Sequence, residues 1–361
     1  MKKDICFVLG TRPEIIKLSP LIKLLKKESI PYFIIHTGQH FDYSLDSVFF
    51  KELCLDYPTY NLAVKAEMQG AQTGRMIEEI EKILISKSPS IVVVQGDTNS
   101  GLAGTLAAVK LHIPVAHVEA GLRSYDKSMS EEVNRIIIDH ISSVLFVPTE
   151  DAKKNLIKEG VKNEHISVTG NTVVEALSEN MIIAGQRSLI LTALKLEKKK
   201  YILLTIHRQE NVDNKERLEN IISALELLAH QQQYELVCSM HPRTKKMLIA
   251  FGINMPSSII TMDPVGYFDF LQLEKNAAII MTDSGGLQEE ACILNVPCIT
   301  LRDNTERPET VACGANRVVG TDKDNICKAV ASVEHNPGNW QQPFGKDGFI
   351  STKMKQILMK F

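Results

Sequence analysis

Residues 91–118 read IVVVQGDTNSGLAGTLAAVKLHIPVAHV. Residues 91–95 and 115–118 are short, almost wholly apolar runs rich in Val and Ile, and 100–111 has helical spacing. A strand, a helix and a second strand in that order imply a parallel pair. The absence of polar alternation implies that both faces of the sheet are covered.

The same alternation extends in both directions. Strands are expected at 5–9, 32–36 and 144–148 in the first half. In the second half they are expected at 201–205, 235–239, 259–262, 278–282 and 298–301. Helical stretches lie between them at 15–27, 73–86, 216–231 and 286–294. The pattern occurs twice, with a junction near 168–172, and 361 residues suit two domains.

The bulk composition excludes several classes. A net charge of −2 gives no global attraction to nucleic acid or a membrane surface. The opening MKKDICFVLG breaks at Gly10-Thr11-Arg12, so no secretory signal is expected, and no apolar run reaches the ~18 residues of a membrane span. The seven cysteines are odd in number, without C-x-x-C spacing, and most sit in apolar runs. A reduced, cytoplasmic protein is expected, with no metal site and no disulfide framework.

In open parallel sheets, ligands bind beyond the carboxyl ends of the strands. The first strand is followed by Gly10-Thr11-Arg12-Pro13-Glu14, where Pro13 suits a first helical turn and Arg12 and Lys17 are near enough to share an anion. This is not a G-x-G-x-x-G fingerprint, which argues against a nicotinamide cofactor. Asp97 follows the third strand, as a helix cap or as a ligand-facing acid. Glu119 and Arg123 follow the fourth, as a salt-bridged loop or as part of a site. Asp97 and Glu119 leave consecutive strands, which often lie side by side and would let the two acids perturb each other. Glu131 opens the helix SEEVNRIIIDH, where capping behind Ser130 competes with catalysis.

In the second half His207 lies just beyond a strand, and His241 follows the next. PVGYFDF, from Pro264, offers aromatics for a planar base or for a small satellite core. MTDSGGLQEEA, from Met281, ends a strand and begins a helix. Ser284 can cap that helix, Gly285 and Gly286 open the backbone amides to an anion, and Glu290 can accept from a ribose hydroxyl. Arg307, in LRDNTERPET, suits a bidentate clamp on a diphosphate or an ion-paired surface loop. The inventory points to a nucleotide diphosphate ligand with acid/base chemistry on the group attached to it.

The motifs GTRPEIIKLSP, TGQH, QTGRM, QGDTNS, HVEAGLRS, EEVNR, VTGNTVVEAL, IHRQENVD, DSGGLQEEA and RDNTERPET resemble, in order from residue 8 to about 320, those of the non-hydrolysing UDP-N-acetylglucosamine 2-epimerases. HRQENVD resembles the archaeal form. The resemblance implies a glycosyltransferase-B-like α/β fold, with two Rossmann-like domains whose parallel sheets face a deep cleft. The domains would be 1–168 and a UDP-binding 169–344, with a C-terminal helix at 345–361 packing back on the first.

It also implies reversible C2 epimerisation of UDP-N-acetylglucosamine to UDP-N-acetylmannosamine, by anti elimination of UDP to 2-acetamidoglucal and re-addition. No cofactor, metal, nucleic acid or membrane is implied; a cytoplasmic homodimer serving cell-surface polysaccharide synthesis is. Asp97, Glu119, Glu131 and His207 match the family's catalytic positions. Arg12, Lys17, Ser284, Gly285, Gly286 and Arg307 match phosphate-binding positions, Glu290 the ribose contact, and Val265 and Phe270 the uracil pocket. Gln39, His40, Arg75 and His241 sit in motifs resembling an allosteric second site of bacterial members. Ser130 stands where many members have Pro, and Lys346 interrupts the usual Phe-Gly-Asp-Gly approach to the last helix. Rival readings are a hydrolysing epimerase, an epimerase of a modified UDP-2-acetamido sugar, a glycosyltransferase of the same fold, and a non-catalytic sensor.

Overall fold

The computed structural model describes residues 4–39, 49–65, 68–231, 233–335 and 339–361. The chain divides into two compact units, residues 1–178 with 344–361, and residues 179–343.

The first unit holds a seven-stranded sheet of β1 (Ile5–Leu9), β2 (Tyr32–His36), β3 (Tyr60–Asn61), β4 (Ile91–Gln95), β5 (Val115–Val118), β6 (Val144–Val147) and β7 (Ile166–Val168), in the order β3-β2-β1-β4-β5-β6-β7. Every pairing is parallel. All five residues of β1 and of β4 are buried, as continuous apolar runs require when helices cover both faces. On one face Val8, Val92 and Val94 pack with Ala103, Ala107 and Ile138. The helix Asn99–Lys110 comes so close to β1 that a Cβ on Gly104 would stand 2.9 Å from Val8 Cγ1.

The second unit repeats the plan with β8 (Tyr201–Thr205), β9 (Glu235–Ser239), β10 (Ile259–Met262), β11 (Ile279–Thr282), β12 (Cys298–Thr300) and β13 (Asn316–Val318), in the order β10-β9-β8-β11-β12-β13. These pairings are parallel too. Strand order reverses between β1 and β4 and again between β8 and β11, the switch points where loops splay apart and leave room for a ligand.

The last helix, Ile350–Leu358, lies on the helix Arg12–Lys27 of the first unit through its buried Ile350, Met354 and Leu358. Its first amides, Ile350 N and Ser351 N, donate to Glu175 at 2.9 and 3.0 Å, which serves as a cap from another helix. Lys355 pairs with Glu28 at 2.7 Å.

Two features differ from the sequence reading. The division falls at Ser178/Glu179, inside the helix Val173–Arg187, rather than at 168/169, because the first turns of that helix pack with the first unit. The strands β3, β7 and β13 have only two or three residues each, and all three lie at sheet edges, so none carries a long apolar run to reveal it. Among the described residues, no helix is long and apolar enough to cross a membrane.

Candidate active site

In the first unit β4 and β5 run side by side with Gln95 opposite Val118, so Asp97 and Glu119 emerge from neighbouring strands. Gly96 and Glu119 both adopt left-handed backbone, at φ 67° and 68°. For glutamate that conformation is uncommon and costs about 1–2 kcal/mol, strain that the surrounding contacts must offset. Glu119 is buried. Its Oε1 meets Lys17 Nζ at 2.5 Å and accepts from Asn171 Nδ2 at 2.9 Å, while Oε2 accepts from Gln95 Nε2 at 2.6 Å.

Asp97 is 28% exposed along its side chain and pairs with Arg135. Its backbone carbonyl accepts from Asn134 Nδ2 at 3.0 Å. It does not cap the next helix. Thr98 does, accepting from Gly101 N at 3.0 Å. Glu131 is half-buried in the first turn of the helix Ser130–Ile141, and Ser130 Oγ donates to it at 3.0 Å instead of capping. Arg12 is half-buried, its guanidinium 5.2 Å from the Phe49 ring centroid. Glu14 accepts from Gly10 N at 2.8 Å and Thr98 Oγ1 at 2.7 Å; burial outweighs these bonds and pushes its carboxyl up to about 7.

Other polar side chains near these strand ends are engaged in local contacts. Arg123 is buried and bonds Asp139 at 2.7 Å and Glu159 at 2.7 and 2.6 Å. Glu132 accepts from Ser124 N and Tyr125 N, both at 3.0 Å, and pairs with Arg135. Gln39 Oε1 accepts from Ser100 N at 2.9 Å, and Arg75 donates to the Lys65 carbonyl at 2.8 Å. His40 lies outside the described residues.

In the second unit His207 stands just beyond β8, with Nδ1 3.0 Å from Asp283 Oδ1. Asp283 directly follows the neighbouring β11 and is fully buried. It also accepts from His207 N, Arg208 N and Asn211 Nδ2 at 3.0–3.1 Å. Burial pushes the Asp283 carboxyl up, but His207 and the two amides prevail and hold it below the usual range. With Nδ1 turned to Asp283, Nε2 is the ring nitrogen left for a ligand. The His241 ring lies 5.7 Å from that of His207; burial and then His207 depress its basicity, and its own Nδ1 accepts from Arg243 N at 3.2 Å.

The helix Gly285–Leu294 begins beside β11. Ser284 occupies the N-cap position, but its hydroxyl makes no capping bond, so the first-turn amides keep no intrahelical or side-chain acceptor from the cap. A Cβ on Gly285 would stand 2.9 Å from Glu306 Oε1, whereas one on Gly286 would meet nothing nearer than 3.9 Å. Glu306 pairs with Arg302 at 2.6 Å and Arg208 at 3.2 Å. Although burial opposes ionisation, Arg307, Arg302 and Arg208 hold it down at about 2. Arg307 Nε donates to Glu289 at 2.6 Å, which orients the guanidinium. Glu290 is half-buried on the same helix; Val265 and Phe270, also half-buried, flank the start of the helix Tyr267–Asn276.

Each unit thus gathers one set: Lys17, Asp97 and Glu119 with Glu131 on the helix that holds Asp97 in the first, and His207, Ser284, Gly285, Gly286, Glu290 and Arg307 around β8 and β11 in the second. Gln39 and Arg75 serve separate local contacts. Sequence reading missed the partners Gln95, Asn171, Asp283 and Glu289, although all four stand inside quoted motifs.

A family model described as UDP-N-acetylglucosamine 2-epimerase matches residues 23–359. The chain belongs to this family. It is 52% identical over 357 residues to the UDP-N-acetylglucosamine 2-epimerase of Methanocaldococcus jannaschii, covering 97% of each chain. The crystal structure of the epimerase from that organism, in complex with UDP-GlcNAc and UDP, matches at TM-score 0.93 and 51% identity, over 99% of this chain and 100% of the other. The epimerase from Neisseria meningitidis bound to UDP-GlcNAc matches at TM-score 0.90 and 33% identity, over 99% and 100%. The glycosyltransferase-B-like fold of this epimerase family is the one expected from sequence.

Proposed function

We propose that the chain catalyses reversible inversion at C2 of UDP-N-acetylglucosamine, giving UDP-N-acetylmannosamine. A base removes the C2 proton, the bond from C1 to the diphosphate oxygen breaks, and UDP departs to leave 2-acetamidoglucal. A proton is then delivered to the opposite face of C2 while UDP re-adds at C1. Atoms balance without water, and the sugar is never oxidised, so no nicotinamide is required.

The observation that carries this reading is the emergence of Asp97 and Glu119 from the paired ends of β4 and β5, with Lys17 on Glu119. Abstraction and redelivery on opposite faces need more than one proton-handling group, and Asp97, Glu119, Glu131 and His207 supply them. Departing UDP gains negative charge, which Arg12, Lys17, Arg307 and the helix start at Ser284–Gly286 stabilise. Glu290 accepts from the ribose, and Val265 and Phe270 flank the uracil. The UDP-GlcNAc and UDP held by the archaeal relative support the substrate. A cytoplasmic homodimer belongs to the same reading, as does a second nucleotide-sugar site at Gln39, His40, Arg75 and His241.

The test is incubation with UDP-N-acetylglucosamine in D₂O without added NAD or metal. One deuterium at C2 in both UDP-linked epimers is expected. Absence of deuterium would rule out elimination, and free N-acetylmannosamine with UDP would mark a hydrolysing enzyme.

A further inference from the structure

Glu274, on the helix Tyr267–Asn276, is fully buried. Among the described residues, neither of its carboxyl oxygens accepts from an N–H or O–H donor. The groups that face it come from four elements: Glu290 from the helix Gly285–Leu294, Tyr267 from its own helix, Tyr201 from β8 and Cys298 from β12. None is a cation. Tyr201 spends its hydroxyl proton on the Leu273 carbonyl, at 2.5 Å. A carboxylate in such surroundings would be a buried charge without compensation, which proteins avoid by neutralising the group. Burial and then the neighbouring Glu290 accordingly push Glu274 well above the usual carboxyl range.

A neutral carboxylic acid has one O–H to give, and the acceptor in hydrogen-bond contact with Glu274 is the Glu290 side chain. Glu290 is half-buried and stands about a turn and a half along the helix from Ser284. Its carboxylate has two oxygens, and a proton given to one of them from behind fixes the plane of the group.

We propose that Glu274 is a permanently neutral acid whose O–H donates to the Glu290 carboxylate and thereby positions it for the ribose hydroxyls of the nucleotide. This rests on the reading of Glu290 as the ribose contact. Glu274 is a positioning residue, since its role is exerted through Glu290.

Two experiments test it. The first follows urea unfolding of the wild type and Glu274→Gln from pH 4 to 8, a range that starts near the value at which an ordinary glutamate loses its proton and runs well above it. A group protonated when folded and ionised when unfolded costs progressively more stability as pH rises above its unfolded value, and glutamine carries no such cost. The gap in favour of Glu274→Gln should therefore widen with pH; a gap that stays constant overturns the neutral acid.

The second measures UDP and 2′,3′-dideoxy-UDP binding by calorimetry. Glu274→Gln, whose amide still donates to Glu290, should bind UDP within about threefold of the wild type. Glu274→Met, of similar volume but without a donor, should bind UDP about tenfold more weakly, as loss of a hydrogen bond to a charged group predicts. It should bind the dideoxy ligand as the wild type does. If Glu290→Ala weakens UDP but Glu274→Met does not, the positioning role is overturned while the ribose contact stands. If Glu290→Ala leaves UDP affinity unchanged, the ribose contact falls and the positioning role with it, and the unfolding curves still decide whether Glu274 keeps its proton.

Discussion

Lys17 Nζ and Glu119 Oε1 meet at 2.5 Å, with both side chains buried and two amides donating to the same carboxylate. Glu119→Gln keeps the shape of this cluster but removes the carboxylate proposed to handle a proton, so kcat should fall roughly 10²- to 10⁴-fold while UDP affinity changes little. Lys17→Met leaves a buried carboxylate without its cation, which costs about 3–5 kcal/mol. The double variant should regain much of that loss. Chemical denaturation of the two singles and the double measures the coupling; additive losses would show that the pair is not energetically linked.

Asp283 holds His207 through both its ring and its backbone amide. Asp283→Asn turns an acceptor-only group into one that also presents N–H, opposite amides that themselves donate. The ring of His207 then loses the partner that sets its tautomer. Turnover should fall about 10²-fold or more, with a smaller change in UDP affinity, read from steady-state kinetics beside calorimetry. Equal losses in both would place the effect on binding instead.

Glu306 couples the folded state to acid. Its carboxyl sits at about 2 when folded and near the ordinary carboxyl value when unfolded. A depressed carboxyl contributes stability that is present above the unfolded value and lost as pH falls through the folded one. The window is therefore about pH 4.5 to 2, and the contribution is on the order of 3 kcal/mol. Glu306→Gln should be less stable than the wild type at pH 6, and the difference should shrink toward pH 2 in unfolding curves.

Glu14 has the opposite sign. Its folded carboxyl, at about 7, lies above the unfolded value, so its contribution is complete below about pH 4.5 and lost as pH rises to about 7. Compared with Glu14→Gln, the wild type should lose on the order of 3 kcal/mol across that interval. Denaturation midpoints of the two proteins, measured at pH 4.5 and 7.5, test it.

These residues show what the sequence makes legible. Runs such as Ile91–Gln95 are readable because burial on both faces removes polar alternation, and the ends of such runs are where ligand-facing residues are to be sought. What stayed hidden was which charges were already committed. Arg123 and Glu132 resemble Glu119 in sequence, yet Arg123 is spent on Asp139 and Glu159, and Glu132 on backbone amides. Glu119 is held by Gln95 and Asn171, which lie 24 and 52 residues away along the chain. Such pairings arise from sheet order and side-chain direction, which periodicity does not encode. Glu274 was invisible for the same reason, since a lone Glu in LQLEKN reads as a solvated helix position.

The two glycines that open the helix Gly285–Leu294 separate fold from ligand binding. A Cβ on Gly285 would press against Glu306 Oε1 at 2.9 Å, so Gly285→Ala should cost stability. A Cβ on Gly286 meets nothing closer than the Ser284 hydroxyl at 3.9 Å, and alanine suits a helix better than glycine by up to about 1 kcal/mol. Gly286→Ala should therefore melt no lower than the wild type, and slightly higher. If the bare amides receive the diphosphate, the added methyl group stands where an anion must approach, and UDP affinity should fall about tenfold, or about 1.4 kcal/mol. Uridine, which lacks the phosphates, should bind the variant and the wild type alike. A Gly286→Ala protein that binds UDP normally would move the diphosphate away from this helix start.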